Sequence, residues 1–174
     1  MRLQNQIVLI TGSTAGIGAA MARLFAKEGA KIILHGRNVE RANAIREELG
    51  SENSAFVQGD LQDPEGPARI ARGALNCFGK IDCLVNNAAF TTRGYLQETD
   101  VAFFDRIIAV NLRAPIQLIR HLFPALKKSE GCVVNIGSVL AHCGQANMLA
   151  YSVSKGGLMT CLLYTSDAAD EVVS

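Results

Sequence analysis

Five times along this chain a short, mostly β-branched apolar run is followed by a stretch with helical periodicity. That alternation limits the possible folds more than any other feature. Short continuous apolar runs suit strands buried on both faces. Parallel strands joined by helices need right-handed crossovers, which place helices on both sides of the sheet. The runs are Ile7-Val8-Leu9-Ile10, Lys31-Ile32-Ile33-Leu34, Ala55-Phe56-Val57, the segment from Ile81 to Val85, and Cys132-Val133-Val134-Asn135-Ile136. Ile17, Met21, Leu24 and Phe25 recur at helical spacing before Gly29. Asn38 is placed to cap a second helix, with Val39, Ala42, Ile45 and Leu49 inward and Gly50 at its end. Asp63-Pro64 reads as a cap and first-turn proline for a third helix, which carries Ile70, Ala74 and Phe78 to Gly79. A long helical region runs from about Asp100 to Lys128, and a last helix pattern starts near Gln145. The expected fold class is α/β: a doubly wound parallel sheet in three layers, α/β/α.

Length and charge narrow the function classes. The chain has 174 residues, 49% of them apolar and 19% charged, which suits one globular domain rather than disorder. A formal net charge of +1 offers no broad basic face to nucleic acid. No apolar run reaches the ~18 residues of a membrane helix. The apolar run behind Met1 is short and lacks a cleavage site, so no signal peptide is expected. The five cysteines are odd in number and have no Cys-x-x-Cys spacing. That pattern speaks against metal or disulfide frameworks and for a reducing cytoplasm. His35, His121 and His142 lack metal spacing, and no metal is expected.

The first run leads into Thr11-Gly12-Ser13-Thr14-Ala15-Gly16-Ile17-Gly18. Glycines placed after a strand and at the opening of a helix are the context in which such a motif binds a dinucleotide. Gly12 permits the tight turn, Gly16 lets the backbone approach a pyrophosphate, and Gly18 lets helix and strand pack closely. The helix N-terminus then offers free N–H groups to phosphate. After the second run comes Leu34-His35-Gly36-Arg37, without the carboxylate that would bond a ribose 2′-OH. Arg37 either faces a 2′-phosphate with its forked donors or is a solvated helix-entry residue. Its presence, with no acid beside it, points to NADP(H) over NAD(H).

The spacing at residues 11–18 resembles the short-chain dehydrogenase/reductase family, whose other marks follow in order. They are Asp60-Leu61, Asn86-Asn87-Ala88-Ala89, Asn111, Ser138 and Tyr151-x-x-x-Lys155. The resemblance covers roughly residues 5–160 and is nearest to the 3-oxoacyl-carrier-protein reductase branch, with sugar and polyol dehydrogenases close behind. Ala89 stands where the family usually has Gly. The resemblance implies a Rossmann-type domain over 1–160, a nicotinamide cofactor, and hydride transfer to or from a ketone or secondary alcohol. It also implies a homodimer or homotetramer working on a small molecule. By it, Thr11, Gly12, Ser13, Thr14, Gly16, Ile17, Gly18, Arg37, Asp60, Leu61, Asn87, Ala88, Tyr151 and Lys155 bind the cofactor. Asp60 would bond the adenine, although an acid at a strand end is equally a turn former.

Tyr151 and Lys155 stand four apart on an expected helix and so share a face. An ammonium beside a phenol favours loss of its proton, which suits the pair to acid–base work on a carbonyl or alcohol. The resemblance adds that the lysine bonds the nicotinamide ribose. Ser138 directly follows the fifth run, at the sheet end where ligands bind, and its hydroxyl can donate to a substrate oxygen. Pro115 has no N–H, so the backbone carbonyl of Asn111 loses its helical partner and is free to hold water. In the family the matching Asn holds the water of a proton path. Phe90, Thr91, Arg93, Leu140, Cys143, Gln145 and Met148 are placed to shape a substrate pocket. Without the tyrosine and serine chemistry the same chain reads as a non-catalytic dinucleotide-binding module or an inert fragment.

Residues 161–174 do not resemble the family; they read either as a translated sequencing adapter or as a divergent natural terminus. The expectation is that the family domain is incomplete, lacking its sixth and seventh strands and leaving an apolar sheet edge bare.

Overall fold

The computed structural model describes residues 1–91 and 93–167, with 162–167 by backbone alone. Five strands form one parallel sheet in the order β3-β2-β1-β4-β5. They are β1 (Ile7–Ile10), β2 (Lys31–Gly36), β3 (Ser54–Gln58), β4 (Cys83–Asn86) and β5 (Cys132–Asn135). The helices are α1 (Gly16–Lys27), α2 (Val39–Leu49), α3 (Gly66–Phe78), α4 (Val101–Ile108), α5 (Ala114–Lys128) and α6 (Leu149–Asp167). Chain order turns back at β1. The loops after β1 and β4 therefore diverge over the carboxyl end of the sheet, where such folds bind ligands.

The period-2 alternation of the strands explains the two apolar layers. Leu9, Ile33 and Leu84 point to one side, against Ile70 and Ala74 of α3 and Leu118 and Leu122 of α5. Val8, Ile10, Ile32, Leu34 and Val85 point to the other, against Ala19 and Ala22 of α1 and Ile45 of α2. The sequence therefore gives continuous apolar runs because both faces of the sheet are covered.

The structure corrects several local readings. In α1 the inner face is Gly18, Ala19 and Ala22, whereas Ile17 and Leu24 are 68% and 50% exposed. The helix approaches the sheet through these small residues, with Met21 and Phe25 packing at the flank of the same apolar layer. Val39 is 42% exposed, so the buried face of α2 is Ala42 and Ile45. Helix α3 starts at Gly66 with Pro67 in its first turn, and the Asp63 carboxylate accepts the Glu65 N–H in a turn before it. Helix α6 starts at Leu149, not near Gln145. A single 3₁₀ turn, Val139–Ala141, and a left-handed Asn147 with φ 59° come first.

The long region from Asp100 to Lys128 is interrupted. The Asp100 carboxylate caps α4 at the Phe103 N–H. The next five residues, Ala109–Arg113, form one π-turn in which the Ala114 N–H reaches the Ala109 carbonyl. Pro115, with no N–H to give, follows at once, and the widened turn accommodates that missing donor. Among the described residues no helix is long and apolar enough to cross a membrane.

Candidate cofactor cleft and active site

The glycine turn is built on one hydroxyl. Thr11 ends β1 buried, and its Oγ1 donates to the Val85 carbonyl at 3.2 Å while accepting the Asn87 and Ala88 N–H groups at 3.0 Å each. Asn87 Nδ2 returns a bond to the Thr11 carbonyl at 2.8 Å. The loops after β1 and β4 are thereby locked together. Gly12 has φ +65°, and a Cβ there would lie 2.9 Å from the Ala88 Cα. Gly16 has φ +54° and no atom within 4 Å of an added Cβ, so the N-terminus of α1 is bare on that side. Strand β2 is tied to the same turn: the Ser13 N–H donates to the His35 carbonyl and the His35 N–H to Ser13 Oγ, both at 2.9 Å.

Over this turn lies a cleft of about 620 Å³. Its walls are residues 12 and 14–18, 35–37 at the end of β2, 59–62 after β3, 87–91 after β4, and Arg106 and Val110. Gly12, Thr14, Gly16, Ile17, Gly18, Arg37, Asp60, Leu61, Asn87 and Ala88 all line it, as the sequence leads one to expect. Thr11 and Ser13 do not, being buried behind the wall. At the rim, Arg37 Nη1 lies 3.9 Å from Asp60 Oδ2, both side chains well exposed. Asp60 Oδ1 also accepts the Gln62 N–H at 2.9 Å, so it is a turn former as well. The Arg106 guanidinium stacks 4.2 Å from the centre of the Phe90 ring. Sequence reasoning missed His35, Arg106 and Val110 as cleft residues. Arg106 and Val110 stand four apart, on one helix face that borders the cleft.

The residues that the sequence leads one to expect at the reacting end, Asn111, Ser138, Tyr151 and Lys155, lie outside the cleft lining. Asn111 is buried. Its Oδ1 accepts the Phe90 N–H at 2.7 Å, and its Nδ2 donates to the Phe90 carbonyl at 3.0 Å and to Ser154 Oγ at 3.1 Å. Ser154 Oγ donates to the Tyr151 carbonyl at 2.7 Å. A continuous chain of bonds thus runs from the cleft wall to α6. Lys155 is 2% exposed, and its Nζ donates to the Ile136 carbonyl at 2.5 Å and lies 5.9 Å from the Tyr151 ring centre. Burial holds its ammonium below the usual lysine range. Ser138 caps the 3₁₀ turn, accepting the Leu140 N–H at 3.2 Å. Ser138, Tyr151 and Lys155 are not among the lining residues of the cleft. Of the residues placed to shape a substrate pocket, Phe90 and Thr91 line it, whereas Met148 pairs with Gly94 in an isolated bridge. Of the tail 161–174, helix α6 takes in the first part by its backbone, and residues 168–174 lie outside the described residues.

Comparison with known proteins adds independent support. The family model described as short chain dehydrogenase matches residues 6–172. The chain is 32% identical over 158 residues to L-fucose dehydrogenase of Mus musculus, covering 90% of this chain and 57% of that protein. It is 35% identical over 162 residues to dehydrogenase/reductase SDR family member 7B of Bos taurus, covering 88% of this chain and 50% of that protein. The chain thus spans little more than half the length of these curated relatives. The crystal structure of a metagenomic short-chain oxidoreductase in complex with NADP is similar at TM-score 0.91 and 33% identity, covering 98% of this chain and 79% of that one. A blue fluorescent protein from a metagenomic library, in complex with NADPH, is similar at TM-score 0.86 and 30% identity, covering 92% and 67%.

Proposed function

Because the chain belongs to the short chain dehydrogenase family, we propose that the protein transfers a hydride between NADP(H) and a ketone or secondary alcohol. The observation that carries this reading is a juxtaposition at the carboxyl end of the sheet. The cleft over the glycine turn is tied through Asn111 and Ser154 to the helix that bears Tyr151 and Lys155. The residues present fit the cofactor. The bare N-terminus of α1 beside Gly16 suits a pyrophosphate, and Arg37 at the rim suits a 2′-phosphate. Complexes with NADP and NADPH among similar structures favour the phosphorylated form.

The bound nicotinamide would give or take the hydride. Tyr151 Oη holds the proton that the substrate oxygen gains on reduction or loses on oxidation. Ser138 Oγ donates to that oxygen where charge develops. Lys155, desolvated on the same helix, keeps a positive charge near the Tyr151 ring. The substrate is a 3-oxoacyl thioester, or a sugar or polyol, the latter favoured by the relative that acts as an L-fucose dehydrogenase. The same reading has the protein working in the cytoplasm as a homodimer or homotetramer.

A non-catalytic dinucleotide-binding module is the second reading. It is favoured by one observation: the Lys155 ammonium is engaged on the Ile136 carbonyl, away from the cleft lining. Tyr151→Phe in the full-length protein separates the two. Turnover with a panel of 3-oxoacyl thioesters, sugars and polyols is expected to fall by about 10²–10⁴. Titration with NADPH and NADH should show unchanged affinities and preference for NADPH. Undiminished turnover in the variant would overturn the catalytic assignment.

A further inference from the structure

We propose that His35 is the positioning residue of the glycine turn: its imidazole Nδ1 accepts the Gly12 N–H and so sets the shape of the bed on which the cofactor's phosphates rest. The inference rests on the cofactor-binding reading above but concerns a residue that no motif singles out.

The hydrogen bonding around the turn shows why an acceptor is needed there. The Thr11 N–H goes to the Val85 carbonyl and the Ser13 N–H to the His35 carbonyl. The N–H between them, on Gly12, finds His35 Nδ1 at 3.3 Å. Gly12 stands in a left-handed conformation that strand pairing does not support. Its peptide is also in close contact with its surroundings. The other end of the peptide unit that carries this N–H is the Thr11 carbonyl, which accepts from Asn87 Nδ2 at 2.8 Å, and the next carbonyl, on Gly12, is 3.3 Å from the same Nδ2 and would lie 2.4 Å from a Cβ at Gly18. Rotation of the Thr11–Gly12 unit would therefore disturb both carbonyls and, through Gly18, the entry of α1.

The imidazole is not simply core filler. It is almost fully buried, and Nε2 faces the Gly59 backbone without a well-formed hydrogen bond. An Nδ1 that accepts forces the single proton of a neutral ring onto Nε2, where the buried donor is at best poorly met by the Gly59 backbone. A leucine would fill the space without that cost. The offsetting gain is the bond to Gly12. Burial keeps the ring neutral, with its pKa pushed down to about 4, against weaker opposing pulls from the Gly59 backbone and the Asp60 carboxylate. The neutral ring is the only form that can accept at Nδ1.

The test compares His35→Leu, which lacks the acceptor, with His35→Asn, whose Oδ1 can replace Nδ1 but which also loses the ring. NADPH affinity is measured by fluorescence titration and thermal midpoints alongside it. His35→Leu is expected to bind about tenfold more weakly, the loss of one hydrogen bond, and His35→Asn to recover to within about threefold of the wild type. His35→Asn, which loses the ring, should lose at least as much thermal stability as His35→Leu, so packing alone would not produce the split. Equal weakening in the two variants, or none in His35→Leu, overturns the proposal. A second measurement needs neither a variant nor a cofactor. A long-range ¹H–¹⁵N correlation spectrum of the unliganded wild type should show His35 protonated at Nε2 only, and a proton on Nδ1 overturns the proposal. Absence of NADPH binding by the wild type would sink the cofactor reading, and with it the claim about phosphates, whatever the tautomer.

Discussion

A methyl group at position 18 would sit 2.4 Å from the Gly12 carbonyl oxygen and 2.6 Å from Asn87 Nδ2. Neither neighbour can yield, because the Gly12 peptide and Asn87 are held by the network that starts at Thr11. Gly18→Ala is therefore expected to push α1 off the sheet and cost about 1–3 kcal/mol, as overpacking does. Urea unfolding would measure this, and a loss below about 0.5 kcal/mol would show the turn to be more compliant than its contacts imply. His35 predicts a pH dependence whose sign follows from burial. Its pKa is 6.5 when solvated and about 4 in the fold. Between these values the unfolded chain binds a proton that the folded chain does not. The contribution is thus fully present above 6.5 and is lost as pH falls toward 4. From pH 7 to 5 the wild type should lose about 2 kcal/mol more stability than His35→Asn; equal losses would mean that the ring is hydrated. The glycines were legible in the sequence because their spacing is tied to a strand and a helix. His35 was not, since a lone histidine at a strand end has no spacing to give it away.

At the scale of elements, the β-branched runs marked all five strands; β1 and β2 are apolar because both their faces are buried, whereas β5 is apolar although partly exposed. Helix faces were harder. Periodicity weighs large side chains, yet α1 approaches the sheet through Gly18, Ala19 and Ala22 and turns Ile17 and Leu24 outward. The start of α3 was misplaced because Pro64 and Pro67 both satisfy a first-turn rule, and only the Asp63 turn decides between them. The break before α5 was legible in part: Pro115 predicts a missing donor, and the chain answers with a π-turn. What the sequence did not disclose is that the Asn111 side chain joins Phe90 to Ser154. Asn111→Ala would strand the Phe90 N–H and carbonyl and loosen the link from the cleft wall to α6. A loss of about 2–4 kcal/mol is expected from leaving buried polar groups unpaired. Chemical denaturation would test it, and a loss under about 1 kcal/mol would mean that water replaces the side chain.

At the scale of the whole molecule, the two edges of the sheet differ. Edge strand β3 ends in Gln58, whose Nε2 donates to the Arg37 carbonyl, and its Ser54 Oγ donates to the Gly50 carbonyl. Polar side chains therefore pin both ends of β3, and α2 and α3 cover its faces. Edge strand β5 is Cys132-Val133-Val134-Asn135, and Val134 is 43% exposed. Among the described residues no strand pairs with its outer side. A short apolar edge with a free row of backbone donors and acceptors is a template for another copy of the same edge. The 174-residue chain is accordingly expected to self-associate with rising concentration. Val134→Lys places a charge where a second strand would pack and should shift light-scattering mass toward the monomer, leaving the thermal midpoint within a few degrees of the wild type. An unchanged mass distribution in the variant would assign the association to another surface, with the exposed face of α5 around Phe123 the next to examine.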